Sequence, residues 1–199
     1  MLSVIIATRE SERALVRTLA VLVAGAAAGA IREVIVADAG SRDATAEVAD
    51  MAGCRVMISR APLGARLREA AATARGSWLL FLQPGTLLDP TWIEETMAFI
   101  AGNERRPEES RRAAVFRPVS GADAPRPLLI DALFLLRAAL GGRPRPQQGL
   151  LIAKPLYVSL GGHRPEANAE LDLLQRLGRR RIVMLRSGAV AESGDARER

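Results

Sequence analysis

One cysteine, one histidine and one lysine stand in 199 residues, at Cys54, His163 and Lys154. A lone cysteine forms no disulfide within the chain. A zinc site draws on about four Cys or His ligands, and only Cys54 and His163 are on offer, so structural zinc is excluded and catalytic zinc nearly so. Cys54 reads as a small buried hydrophobe. Aromatic residues make up 4% of the chain, too few for a stripe on which nucleic-acid bases could stack. The longest apolar stretch, 19–31, falls short of the roughly 18 residues that span a bilayer. Met1-Leu2-Ser3 carries no basic segment, and the first apolar run stops at Ala7 before Arg9 and Glu10, unlike a secretory leader. A cytoplasmic setting is expected. The motifs G-x-G-x-x-G, G-x-x-x-x-G-K-[ST] and H-E-x-x-H are missing too, against dinucleotide, P-loop and zinc-protease readings. Any chemistry must come from Asp, Glu, Arg or the backbone.

What is present points to a folded α/β domain. Hydrophobic residues are 49% and charged ones 25%, the balance of a globular chain. The net charge of +6 is uneven: up to residue 100 ten arginines face eleven acids, and beyond it eighteen basic residues face eleven acids. Excess positive charge favours an anionic partner, such as donor phosphates or lipid headgroups, although solvated arginine accounts for it as well.

Apolar runs alternate with helical patterns four times. Strands are read at 3–7, 34–37, 54–58 and 78–82, with helices over 10–30, from about 43 to 51 with Ser41 as a cap, and over 64–75. Alternation with short connections predicts a parallel sheet with helices on both sides, and a ligand site at the carboxyl ends of strands one, two and four. Further on, Asp89 caps a helix with Pro90 at its first position, 103–112 is a polar loop, and 113–118 a strand. A helix over 128–140, a strand at 149–153, helices at 155–160 and 168–179 and a frayed tail from 192 complete the reading. An aspartate leaving a parallel strand, as Asp38 does, can accept hydrogen bonds from ribose hydroxyls, and Gly40 permits the tight turn beside it. Equally, Asp38 and Ser41 can simply form a turn and cap the next helix.

From residue 2 to about 185 the chain resembles a family 2 glycosyltransferase domain, the nucleotide-sugar-binding α/β architecture called GT-A. Four segments carry the likeness: 3–10 at the first strand, Val34-Ile35-Val36-Ala37-Asp38-Ala39-Gly40-Ser41-Arg42-Asp43-Ala44-Thr45 at the second, 74–82, and the late run from Gln148 to Arg164. The resemblance implies a Rossmann-like, mostly parallel sheet flanked by helices, in one domain over 1–190; residues 191–199 read as a flexible tail. It implies a nonprocessive, inverting transfer of a sugar from a nucleoside-diphosphate sugar to an acceptor that the sequence does not name. In the family the aspartate matching Asp38 contacts the nucleotide, and residues matching Thr8, Arg9 and Glu10 line the same pocket, with Gly40 and Ser41 in the same loop. Gly161-Gly162-His163 occupies the family's Gly-Gly-aromatic turn near donor sugar and acceptor. Glu170 falls where the family's aspartate base stands, with Asp172 two residues on. Read alone, Glu170 is also a solvated acid in a helical first turn, and His163 a packing residue.

The family pattern breaks after the fourth strand. Its members carry Asp-x-Asp there to hold Mn²⁺ or Mg²⁺ against the donor diphosphate, whereas this chain reads Gln83-Pro84-Gly85-Thr86. An amide and a glycine do not hold a hard divalent cation, so that cofactor is left without its usual ligands. Asp89, the nearest acid, suits a cap. Either arginine neutralises the diphosphate, with Arg66, Arg68 and Arg145 as candidates, or donor binding has decayed and the domain is a catalytically silent binding or regulatory module. A third reading is a peripheral protein at the inner face of the membrane, acting on lipid-linked acceptors through its basic second half. The Gln-x-x-Arg-Trp motif of processive synthases is missing, with Gln175-Arg176-Leu177 in that region.

Overall fold

Unbroken apolar runs decide the middle of the sheet. Every residue of Trp78–Leu82 is buried, and Leu2–Thr8 is buried at all positions but Ala7, the pattern of strands covered on both faces. The computed structural model describes residues 1–107, 111–119, 144–166 and 168–191. Its elements run β1 (Leu2–Thr8), α1 (Glu12–Ala27), β2 (Ile31–Asp38), α2 (Thr45–Met51), β3 (Arg55–Ile58), α3 (Leu63–Thr73) and β4 (Trp78–Leu82). There follow β5 (Thr86–Leu88), α4 (Trp92–Glu104), β6 (Ala113–Val119), β7 (Leu150–Ala153), α5 (Lys154–Ser159), α6 (Ala169–Leu177) and β8 (Ile182–Ala191).

The described strands form one sheet in the order β3-β2-β1-β4-β7-β6-β8-β5. β3, β2, β1 and β4 are mutually parallel, in register from Leu2 against Trp78 on one side and Thr8 against Asp38 on the other. Beyond β4 the sheet is mixed: β7 runs antiparallel between β4 and β6, β6 and β8 are parallel, and β5 closes the edge antiparallel to β8. This is the α/β, mostly parallel sheet flanked by helices that the sequence predicts. The carboxyl ends of β1, β2 and β4 open on one side. α1 buries Leu15, Thr18, Leu22 and Gly25, spaced three and four apart, which is the stripe a helix lays on a sheet.

Several local readings need correction. Ser41 does not cap α2, whose N-cap is Ala44. Asp43 supplies the terminal bonds instead, its Oδ1 accepting from the backbone N–H and hydroxyl of Thr45. Asp89-Pro90 does not begin α4: Thr91 is the N-cap, and Asp89 Oδ1 accepts from the Thr91 backbone N–H and hydroxyl in a turn before it. Asn103, expected to open a polar loop, is a buried residue of α4 whose amide bonds both the N–H and the C=O of Arg112. β5 and β8 were not anticipated. β8 pairs with two neighbours and so depends on contacts distant in sequence. The helix expected over 128–140 and the tail from 192 lie outside the described residues.

Candidate functional site

Two loops at the carboxyl ends of β1 and β2 are tied into one unit. The Asp38 side chain is fully buried, and its two oxygens accept from Thr8 Oγ1 (2.8 Å), Ser41 Oγ (2.6 Å), Ser41 N (2.7 Å) and Gly40 N (2.8 Å). Although burial pushes the Asp38 carboxyl up, these donors outweigh it and hold the group below the usual carboxylate range. Gly40 turns the chain with φ +83°. Glu10 answers from the β1 side: its carboxylate accepts from the backbone N–H groups of Arg42 (2.9 Å) and Asp43 (3.2 Å), and its own N–H donates to Ser41 Oγ (2.9 Å). Glu10 is the non-glycine residue with positive φ, at 46°, among the described residues. That strained conformation is held by the facing loop.

These loops, with 60–62 of the next connection and the first turn of α3, enclose a cavity of about 840 Å³ lined by Arg9, Glu10, Arg42, Arg60, Leu63 and Arg66 among others. The loop after β3 therefore contributes to the site, where the sequence pointed to strands one, two and four. Arg66 is buried, donating to the carbonyl oxygens of Thr8 (3.1 Å) and Ala61 (3.2 Å) and in a close contact to that of Ala37. It caps strand ends beneath the cavity. Burial lowers the Arg66 pKa, while Asp38 opposes the shift.

The second half of the site lies where β4 ends. Gln83 Nε2 donates to Glu170 Oε2 at 2.9 Å, joining the loop after β4 to the first turn of α6. Burial raises the Glu170 carboxyl above its ordinary 4.5, with the Gln83 bond opposing it. Oε1 of Glu170 accepts no hydrogen bond among the described residues. Glu170 lines a small cavity with Phe81, Arg145, His163 and Leu174. His163 is buried against the Tyr157 hydroxyl, with Nδ1 at 2.9 Å, and desolvation brings its pKa down to about 3, so it stays neutral. Asp172 holds Arg176 (2.6 and 2.8 Å), which donates in turn to the carbonyl oxygens of Leu160 and Gly162. Asp172 thus anchors the Gly161-Gly162-His163 turn.

The first turn of α3 joins the halves. A Cβ at Gly64 would sit 1.7 Å from the Arg164 carbonyl oxygen and 2.8 Å from Ala169 Cβ, so only glycine lets α3 meet the start of α6. Of the arginines nominated from sequence, Arg66 lines the large cavity, Arg145 the small one, and Arg68 is exposed on α3. Arg42 and Arg60 were not nominated. Their signal is position alone, in loops following β2 and β3.

The family model described as glycosyl transferase family 2 matches residues 3–106, more than half of the chain. The chain belongs to glycosyl transferase family 2. Glucosyl-3-phosphoglycerate synthase from Mycobacterium tuberculosis, solved with Mn²⁺, UDP and glucosyl-3-phosphoglycerate, is similar in structure at TM-score 0.67 and 21% identity, over 98% of this chain and 72% of that one. S. aureus TarS 1–349 in complex with UDP-GlcNAc is similar at TM-score 0.65 and 17% identity, over 98% of this chain and 59% of that one. No curated protein matches this chain in sequence. The likeness to the solved structures establishes the GT-A fold.

The family's metal pair does not fit the donor set at β4. Gln83 is an amide already bonded to Glu170, and Gly85 N donates to Thr18 Oγ1 (2.9 Å) and Ala14 O (3.1 Å), fixing that turn on α1. Asp89 is held in its own turn by Thr91. Among the described residues no group of three His, Cys, Asp or Glu side chains could hold a metal ion. Nor is any described helix long and apolar enough to cross a membrane.

Proposed function

We propose that this family 2 member transfers a sugar from a nucleoside-diphosphate sugar to an acceptor hydroxyl by direct, inverting, nonprocessive displacement, without a divalent cation. The carrying observation is the Gln83–Glu170 pair at the end of β4: a partly buried carboxylate with one neutral partner and a raised pKa. A general base acts best when its pKa approaches the working pH. Glu170 takes the acceptor proton, the acceptor oxygen bonds to the anomeric carbon, and the bond from that carbon to the β-phosphate oxygen breaks with its electron pair leaving on the nucleoside diphosphate. Asp38 and Glu10 shape the donor loops rather than carry out the reaction, while Gly162, His163 and Asp172 shape the wall beside Glu170. The UDP and UDP-GlcNAc complexes of the two similar structures support a nucleotide-sugar donor. The mycobacterial synthase was solved with Mn²⁺; the reading without a cation rests on Gln83 and Gly85 standing at the end of β4.

The test is thermal denaturation with UDP, GDP and dTDP sugars, each with Mn²⁺ and with EDTA, followed by nucleoside-diphosphate release on adding an acceptor panel. A donor that raises Tm in EDTA and is turned over by wild type but not by Glu170→Gln is the expected result. Full turnover in Glu170→Gln, or no shift with any donor, overturns the reading. The same amide that holds Glu170 favours one alternative, a donor-binding module without turnover. Its mark is a Tm shift with no release from any acceptor.

A further inference from the structure

The large cavity is lined by Arg9, Arg42, Arg60 and Arg66, and its one lining acid is Glu10. That carboxylate is already engaged by the backbone N–H groups of Arg42 and Asp43. Asp38, beneath the same loops, is fully buried and has four donors around it. Neither acid forms an ion pair with Arg9, Arg42 or Arg60 among the described residues, and the charge of Asp38 acts on Arg66. The guanidinium groups of Arg9, Arg42 and Arg60 make no ion pair or hydrogen bond among the described residues, and all three are exposed to the opening. Arg60 lies over the Gly40 turn, with Nε 3.6 Å from where a Cβ there would be. Arg66 adds a positive charge at the floor, held by the carbonyl oxygens of Thr8, Ala37 and Ala61.

We infer that Arg9, Arg42 and Arg60 form a cationic clamp that binds the diphosphate of the donor directly, in the role a divalent cation would otherwise fill. This rests on the donor reading above and extends it to residues outside the family's metal motif. Guanidinium groups suit the task because each presents paired N–H donors to phosphate oxygens and stays charged at every working pH. Three loops converge to place them: Arg9 after β1, Arg42 after β2 and Arg60 after β3. The tie between Glu10 and the 42–43 backbone holds two of those loops together before any ligand arrives.

Isothermal titration tests it with UDP, GDP, ADP, CDP and dTDP, their parent nucleosides, and inorganic pyrophosphate, in EDTA and in Mn²⁺. The best nucleoside diphosphate is expected to bind in EDTA within twofold of its affinity in Mn²⁺, and at least tenfold more tightly than its nucleoside. That affinity should fall as salt rises. Arg42→Ala and Arg60→Ala should each weaken the diphosphate about tenfold or more and the nucleoside less than twofold, with Arg60→Lys recovering part of the loss. Urea denaturation of each variant serves as the folding control. Binding that requires Mn²⁺, or variants that bind the diphosphate as wild type does, overturns the clamp. Pyrophosphate binding as tightly as every nucleoside diphosphate identifies a generic anion site and overturns it too. Turnover that depends on Mn²⁺ would sink the clamp and leave sugar transfer standing, whereas metal-free diphosphate binding without turnover would do the reverse.

Discussion

Asp38 and Glu170 are carboxylates at the two halves of one site, and their surroundings drive them in opposite directions. Asp38 has four hydrogen-bond donors and a lowered pKa, whereas Glu170 has one neutral donor and a raised pKa. Burial acts on both; the number of donors decides the sign. A carboxylate saturated by backbone N–H and hydroxyl donors is a structural tie, and one that is desolvated with a single amide is ready to take a proton.

The sharpest break in that contrast is Asp38→Ala. It strands Thr8 Oγ1 and the N–H groups of Gly40 and Ser41, and takes one of two partners from Ser41 Oγ. Unmade buried hydrogen bonds cost about 1–3 kcal/mol each, and partial relaxation leaves an expected loss of about 4 kcal/mol, read from urea denaturation. A loss under about 1 kcal/mol would show that the loops hold without it. Glu170→Gln should behave in the opposite manner, with stability within about 1 kcal/mol of wild type and turnover lowered about a hundredfold or more in a nucleoside-diphosphate release assay. Equal loss of stability in both variants would abolish the distinction.

Gly64→Ala tests the joint between the halves. The clash with the Arg164 carbonyl should force α3 away from α6 and destabilise by about 3 kcal/mol, seen as a lowered Tm. The smallest effect is in pH. Because its folded pKa is lowered, Asp38 contributes stability above the ordinary carboxylate range that is lost as pH falls through the folded value, below about pH 4. Glu170 has the reverse sign: its contribution is present below 4.5 and is lost as pH rises from there through the raised value. Urea titrations across that window should show a declining component in wild type that Glu170→Gln removes. An identical profile in the variant would mean that Glu170 is solvated.

The parallel half of the fold was legible in the residues because its signals are local. The apolar runs of β1, β2 and β4, with helical stripes between them, state element type and order with no knowledge of partners. β5 and β8 were not legible, since each exists through pairing with the other and with β6. Asp43 and Thr91 displaced the expected caps for a related reason: several polar residues stand near each helix start, and backbone geometry selects among them.

For the site, the sequence by itself determined the chemical inventory: one histidine, no carboxylate pair after β4, a Gly-Ser turn after Asp38, and Glu170 opening a late helix. The tertiary structure alone decided how those groups are used. It placed Gln83 on Glu170, 87 residues away in the chain, closed Asp38 inside four hydrogen bonds, and gathered Arg9, Arg42 and Arg60 around one opening. Residue type establishes which charges a chain can offer. Whether a carboxylate becomes a tie or a base depends on desolvation and on the donors within reach, and both are properties of packing between distant segments.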